Sequence, residues 1–426
     1  MDIATLHSLF LEHATISTDT RNIRPNSIFF ALKGANFNGN HYTAEALEGG
    51  AAYAVVDSAK HATGPRTILV DDCLNTLQKL ANFHRHFCNV KVIGLTGSNG
   101  KTTTKELVHA VLSKKYQTIA TVGNLNNHIG VPLTLLTIKA NTEIAIIEMG
   151  ANHQKEIEFL CAIADPDYGY ITNFGRAHLE GFGGIEGVIK GKCELYTYLK
   201  KHKKPIFINA DDPIQNNALE KYVQKYGFST RNNTYYQCKL ESTNPYITIF
   251  AEDLTINTQL IGAYNFSNCC IAILVGSYFN IPKPTIKEAL ETYIPENNRS
   301  QIIRKNNLDI ILDAYNANPD SMTAALKSFS LDDCLEKVVF LGDMFELGAY
   351  SGKEHQNIVD LLSKLGFKNV YLVGENFYKT RASLFFKYES LESLVLEFHK
   401  ISLSENTKLL IKGSRGMAME RILKYL

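Results

Sequence analysis

A β-branched run, a glycine-flanked turn and a helix start follow one another in Val92-Ile93-Gly94-Leu95-Thr96-Gly97-Ser98-Asn99-Gly100-Lys101-Thr102-Thr103-Thr104. Few folds accommodate that order, because a buried strand must deliver the turn at its end and a helix must leave directly from it, as in parallel α/β sheets. Gly97 and Gly100 remove the Cβ atoms that would stop successive backbone N–H groups from curling round phosphate oxygens. Lys101 supplies a point charge for β- and γ-phosphates, Thr102 a hydroxyl suited to Mg²⁺, and the helix opening at Thr102 its positive dipole end. The stretch departs from G-x-x-x-x-G-K-[ST], since Leu95 stands where that pattern has glycine. Leu107, Val108, Val111 and Leu112 nevertheless repeat at helical spacing after it. The reading is a triphosphate cradle, Gly97 to Thr103, weighed against a plain strand-to-helix turn with an exposed lysine.

Short apolar runs alternate with helical patterns along nearly the whole chain, which selects α/β architecture over a sandwich or bundle. Strands are expected at 27–32, 54–57, 67–70, 90–95, 144–148, 168–172, 206–209, 310–312, 338–341, 371–373 and 408–411. A helix is expected at 74–87, and antiparallel alternation between Tyr235 and Leu260 predicts a small appended sheet. At 426 residues the chain exceeds one core. Boundaries after the 74–87 helix and within Tyr293-Ile294-Pro295-Glu296-Asn297-Asn298-Arg299 give three domains, 1–88, 89–298 and 299–426, with the phosphate loop in the middle one.

Lys plus Arg (44) balance Asp plus Glu (43), which gives no electrostatic case for nucleic acid or an anionic membrane as partner. The start lacks a basic segment followed by an apolar one, and no apolar run is long enough to span a bilayer, so a cytoplasmic protein without membrane insertion is expected. The eight cysteines have no zinc spacing and read as buried thiols.

Several expected strands end in polar residues, where ligands of parallel sheets gather. Glu148 closes Ile144-Ala145-Ile146-Ile147 and offers a carboxylate beside the phosphate loop for Mg²⁺. The loop Gly123 to Pro132 is dense in asparagine and suits either phosphate or carboxylate binding, or an ordinary turn. His178 follows another strand, with catalytic, metal-binding and structural readings all open. Lys192, in a helical stretch, reads as a surface lysine from its spacing. Asp313-Ala314-Tyr315-Asn316-Ala317-Asn318-Pro319, Gly342-Asp343-Met344-Phe345-Glu346-Leu347-Gly348 and Lys412-Gly413-Ser414-Arg415-Gly416 are three further strand-end loops, and together they predict a second ligand-facing surface.

With these strings assembled the chain resembles the Mur ligases, the ATP-dependent amide-forming enzymes of peptidoglycan precursor synthesis, over essentially its full length. Ser17 to Arg21 and Phe29 to Gly34 look like the family's uridine-nucleotide domain, although Asn26-Ser27 and Asn38 replace a more usual Gly-Asp and Asp. The family's phosphate loop also accounts for Leu95. The resemblance implies a central phosphate-loop ATPase domain flanked by an N-terminal UDP-substrate domain and a C-terminal Rossmann-like domain that closes over ATP. The three C-terminal strings look like the member that joins D-alanyl-D-alanine to the UDP-N-acetylmuramoyl tripeptide through an acyl phosphate. A ligase for the third stem residue, a folylpolyglutamate synthase and a nucleotide-dependent switch are the rivals. The resemblance further implies catalytic roles for Lys101, His178, Lys192 and Arg299. It implies nucleotide contacts from Gly97, Ser98, Asn99, Gly100, Lys101, Thr102, Thr103, Asn265, Asn268, Arg299, Asp313 and Asn316. Tyr264 stands where many members carry histidine. The metal set it implies is Thr102 and Glu148 for one Mg²⁺, and His178 with a carbamylated Lys192 for a second. A monomer is expected.

Overall fold

The strand Lys91–Thr96 lies at the heart of the largest sheet, because its side chains serve two cores at once. Val92 packs into one, and Ile93 and Leu95 into the other, the alternation of a strand covered on both faces. Leu107, Val108, Val111 and Leu112 of the helix Lys101–Leu112 bury against the Ile93 face. The computed structural model describes residues 1–296, 298–334, 336–405 and 407–426. Asn297, part of the expected second boundary, lies outside the described residues.

Among the described residues three main sheets follow one another along the chain. The first is parallel, in the order Ile16–Ser17, Ile28–Phe30, Tyr53–Val56, Thr67–Leu69. The helix Cys73–Phe87 leads out of it, opened by Asp72, whose carboxylate accepts the Asn75 N–H at 2.6 Å. From that helix Arg85 reaches Asp167 at 2.6 Å and the Asp165 carbonyl at 2.8 Å, tying the first unit to the second.

In the second sheet Lys91–Thr96 lies between Ile144–Glu148 and Tyr168–Ile171, with Leu95 level with Glu148 and Thr96 level with Ile171. The chain visits Thr118–Ala120 and Ile144–Glu148 on one side of the central strand before crossing to Tyr168–Ile171 on the other. That reversal opens a crevice at the carboxyl ends of the strands. The expected small sheet is an extension rather than a separate unit. Tyr236–Ser242 pairs in parallel with Lys225–Ser229, and only Thr248–Ala251 and Leu254–Asn257 run antiparallel at the edge. Its apolar residues Ile247, Ile249 and Ile256 join the core of the main sheet.

The third sheet has the order Gln301–Lys305, Leu308–Asp313, Lys408–Lys412, Lys337–Gly342, Asn369–Val373, Phe386–Tyr388, parallel except for its first strand. Gln301–Lys305 has a half-exposed, mixed pattern typical of an edge, which is why periodicity alone passes over it. Just before it Asn298 and Ser300 adopt left-handed φ values of 58° and 50°. The thiols are more varied than expected, with Cys88 and Cys193 only half-buried.

Candidate active site

Gly97 adopts φ 142°, and a Cβ there would lie 1.9 Å from Thr172 Oγ1, so only glycine lets the turn pass under the neighbouring strand end. The loop is held from that side: Asn173 accepts the Asn99 N–H at 3.0 Å through Oδ1 and the Ser98 N–H at 3.0 Å through its carbonyl. Gly100, at φ 78°, is the N-cap of Lys101–Leu112 and carries no capping side chain. The first N–H groups of that helix therefore point unpaired at the crevice, an arrangement suited to anions. Lys101 Nζ arches back to the carbonyls of Gly97 (2.8 Å) and Ser98 (3.2 Å). Burial pushes its ammonium below the usual lysine range, with Glu148 opposing the shift and Arg299 adding to it.

Thr102 donates to Glu148 Oε2 at 2.9 Å, while Asn126 Nδ2 donates to Oε1 at 2.8 Å. Glu148 is 2% exposed, a carboxylate held among hydroxyl and amide groups. These are hard oxygen donors, and they fit Mg²⁺, which takes one or two protein oxygens and completes its shell from phosphate and water. No cluster of three or more His, Cys, Asp or Glu able to hold a metal forms among the described residues, so no all-protein cage is present. The asparagine-rich loop thus acts through Asn126 on Glu148, and Asn124, Asn127 and His128 line the same cavity.

That cavity encloses about 1170 Å³ between the second and third sheets. Ser98 to Thr103 form its floor, and Glu148, His178, Asn265, Asn268, Arg299, Asp313 and Asn316 share its walls. Gly97 stands behind the floor and contributes its carbonyl to Lys101. Asn268 accepts from Thr104 at 3.0 Å and donates to Asn265 at 2.9 Å, so both amides are locked to the phosphate-loop helix. Tyr264, in place of histidine, joins its hydroxyl to Ser300 Oγ at 2.9 Å across the two sheets. The Arg299 guanidinium stacks 3.7 Å above the Tyr315 ring, and its Nε is buried without a hydrogen-bond partner. Asp313 accepts the Ser300 N–H at 3.1 Å and pairs with the buried Lys412 at 2.5 Å.

His178 begins the short helix Leu179–Phe182 at φ 53°, and its Nδ1 lies 2.5 Å from Glu346 Oε2 of the third sheet. That contact holds the Glu346 carboxyl below its usual range. Lys192 differs from the expected metal arrangement. It is 1% exposed, so it is no surface lysine, yet it lies behind the cavity wall, bonded to the Ala151 carbonyl at 3.1 Å and 5.0 Å from the Phe182 ring centre. An unmodified ammonium has reason to seek a carbonyl and a ring face there, not a cation. Burial, with Lys101 adding, drives it well below the ordinary lysine range.

Of the three C-terminal strings, the first supplies cavity walls through Asp313 and Tyr315 to Asn318, the second through Phe345 and Glu346, and the third through Lys412. Asp343 does not join them: it is 2% exposed and accepts N–H groups of Asn376 and Phe377, anchoring the short helix Glu375–Tyr378. Arg415 turns outward to Glu420. Missed from the sequence were Asn126, Asn173 and Arg176. Asn126 stands in the loop Gly123 to Pro132, and Asn173 and Arg176 lie just before His178, but no spacing separates a working side chain from its neighbours.

A phosphate loop whose cavity is completed by a second α/β unit defines the class of nucleotide-dependent enzymes in which two domains share the substrate. Family comparison narrows this: "Mur ligase family, catalytic domain" matches residues 13–85, "Mur ligase middle domain" 95–276 and "Mur ligase, glutamate ligase domain" 298–415. The chain belongs to the Mur ligase family. It is 36% identical to the UDP-N-acetylmuramoyl-tripeptide--D-alanyl-D-alanine ligase of Bacillus subtilis (strain 168), covering 96% of this chain and 92% of that one. To the ligase of the same name from Escherichia coli (strain K12) it is 32% identical, over 96% and 93%. Among solved structures, MurF from Thermotoga maritima in complex with ADP superposes with a TM-score of 0.86 at 25% identity, covering 97% of both chains. MurF from Acinetobacter baumannii gives 0.85 at 28%, over 96% and 92%.

Proposed function

We propose that this protein joins D-alanyl-D-alanine to the UDP-N-acetylmuramoyl tripeptide in an ATP-dependent reaction of peptidoglycan precursor synthesis, releasing ADP and phosphate. The observation that carries the reading is one cavity shared by an uncapped phosphate-loop helix and the loops of a second α/β unit, in a chain 36% identical to a ligase of that name. We divide the labour as 1–88 for the UDP-substrate, 89–298 for ATP and 299–426 for closing the site.

A carboxylate is a poor electrophile with a poor leaving group, so it must be activated before an amine can attack. The tripeptide's terminal carboxylate oxygen attacks the γ-phosphorus of ATP, ADP departs, and an acyl phosphate results. The dipeptide amine, with an unperturbed pKa of about 8, then attacks the acyl carbon; phosphate leaves and the nitrogen gives up its proton. Lys101 and the helix N–H groups hold the β- and γ-phosphates, and Arg299 reaches the γ-phosphate from the junction. Thr102 and Glu148 would hold Mg²⁺, which neutralises phosphate charge when bound. His178 and carbamylated Lys192 are proposed for a second Mg²⁺, since carbamylation turns a cation into an anion with two oxygen donors. Asn265, Asn268, Asp313 and Asn316 face the nucleoside. No helix among the described residues is long and apolar enough to cross a membrane. A monomer working in the cytoplasm is the proposed state.

The test is phosphate release by purified protein. It should require ATP, Mg²⁺, the UDP-muramoyl tripeptide and D-alanyl-D-alanine together, with the new amide seen by mass spectrometry. Release indifferent to the dipeptide would sink the reading, and glutamate or a diamino acid accepted in its place would favour the sister ligases.

A further inference from the structure

The loop Gly175 to His178 belongs to the second sheet, yet the third unit grips it at both ends. Asp320, in the first turn of Pro319–Ser330, takes Arg176 in a fork, with Oδ1 accepting from Nε at 2.8 Å and Nη2 at 2.6 Å. Its other oxygen accepts the Arg176 backbone N–H at 2.6 Å. Glu354, 6% exposed on the helix Ser351–Lys364, accepts from Arg176 Nη1 at 2.9 Å. Gly175 makes this approach possible, because a Cβ there would lie 2.9 Å from Asp320 Oδ2 and 3.0 Å from Asn99 Nδ2. At the far end of the loop Glu346 meets His178.

The same helix start is seized a second time. Asn318, its N-cap, exchanges amide contacts with Asn99 of the phosphate loop, at 2.7 Å in one direction and 3.4 Å in the other. One turn of helix in the third unit therefore touches both the loop that cradles phosphate and the loop that carries the histidine. Forked, charge-assisted contacts of this kind fix orientation as well as proximity. Arg176 supplies the charge on the second unit's side of the Asp320 and Glu354 contacts.

We propose that Arg176 is a positioning residue: its clasp with Asp320 and Glu354 seats the third domain on the second and, in doing so, sets the His178 loop in its working arrangement. The proposal rests on the ligase reading for the reaction it serves, but the clasp itself needs only the two domains. Arg176 touches no reacting atom; it acts through the loop and through closure.

The experiment compares full-length protein with R176Q, R176K, D320N and the exchanged pair Arg176→Asp/Asp320→Arg. Each is measured for kcat, for KM of every substrate, and for the radius of gyration by small-angle scattering with Mg²⁺ and a non-hydrolysable ATP analogue. R176Q and D320N should lower kcat about tenfold and leave KM for ATP nearly unchanged. They should also scatter as a more open particle with the analogue bound. Lysine should fall between, since it lacks the fork, and the exchanged pair should recover part of the compaction. R176Q with unaltered kcat, or with lost activity but an unaltered compact particle, overturns the proposal. If the unmodified protein makes no amide from these substrates, the ligase reading fails, while the scattering arm still judges the clasp.

Discussion

Lys101 bonds two carbonyls of its own loop, and Gly97 supplies one of them through a backbone conformation closed to other residues. Lys101→Ala should therefore lower kcat by roughly 10²–10³-fold, read in single-turnover phosphate release. Gly97→Ala should weaken nucleotide binding by about tenfold or more through backbone strain alone, before the clash with Thr172 is counted; calorimetric titration with ATP checks it. Lys192→Ala should abolish amide formation, with partial recovery in added short-chain carboxylates, and full activity in the variant would remove Lys192 from the site. At this scale the sequence was most readable where backbone chemistry is unusual. Glycine, lysine and threonine in fixed order announce a phosphate, and a carboxylate ending an apolar strand announces itself nearly as well. Lys192 was not readable, because a buried lysine and a surface one look alike until packing is known.

The secondary elements carry their own pH dependence. His7 on Ile3–His13 lies 3.0 Å from His84 on Cys73–Phe87, and His84 also reaches the Ile138 carbonyl at 2.8 Å. Burial lowers both imidazoles below their ordinary value, and it lowers His355, on Ser351–Lys364, likewise. Groups depressed in the folded state stay neutral where the unfolded chain already takes up protons. Stability is therefore full above about pH 6.5 and falls as pH drops from there toward the lowered folded values. Urea midpoints at about pH 7.5 and about pH 5.5 should show the fall, and equal midpoints would mean that these imidazoles charge in place. Helix and strand interiors were legible because apolar pattern follows burial: Ile144–Glu148 and Ile206–Asn209 fall where the short continuous apolar runs put them. Edges were not, since Gln301–Lys305 and Phe386–Tyr388 are paired on one side and carry no strong pattern.

For the whole molecule the decisive contacts join residues far apart in the chain: Asn99 with Asn318, Arg176 with Asp320, His178 with Glu346. Such pairings depend on how two domains are set against each other, and a single sequence holds no period or motif for that. With nucleotide in the cavity between the second and third sheets, as proposed, saturating ATP should stabilise both domains together, by about 2.7 kcal/mol at a hundredfold excess over Kd. A single sharper thermal transition should appear with ATP, and R176Q should blunt that sharpening.

Arg299 and Ser300 stand immediately before the first strand of the third sheet, and Ser300 is fastened on both sides, to Tyr264 and to Asp313. A rotating body moves least next to its axis. If the third domain swings about this junction, Arg299 stays beside the axis while Asp320 and Glu346, set farther along the domain, travel farther. The order of events then follows from leverage: a ligand at Arg299 is met first, near the fulcrum, and the histidine loop is engaged later, farther out along the arm.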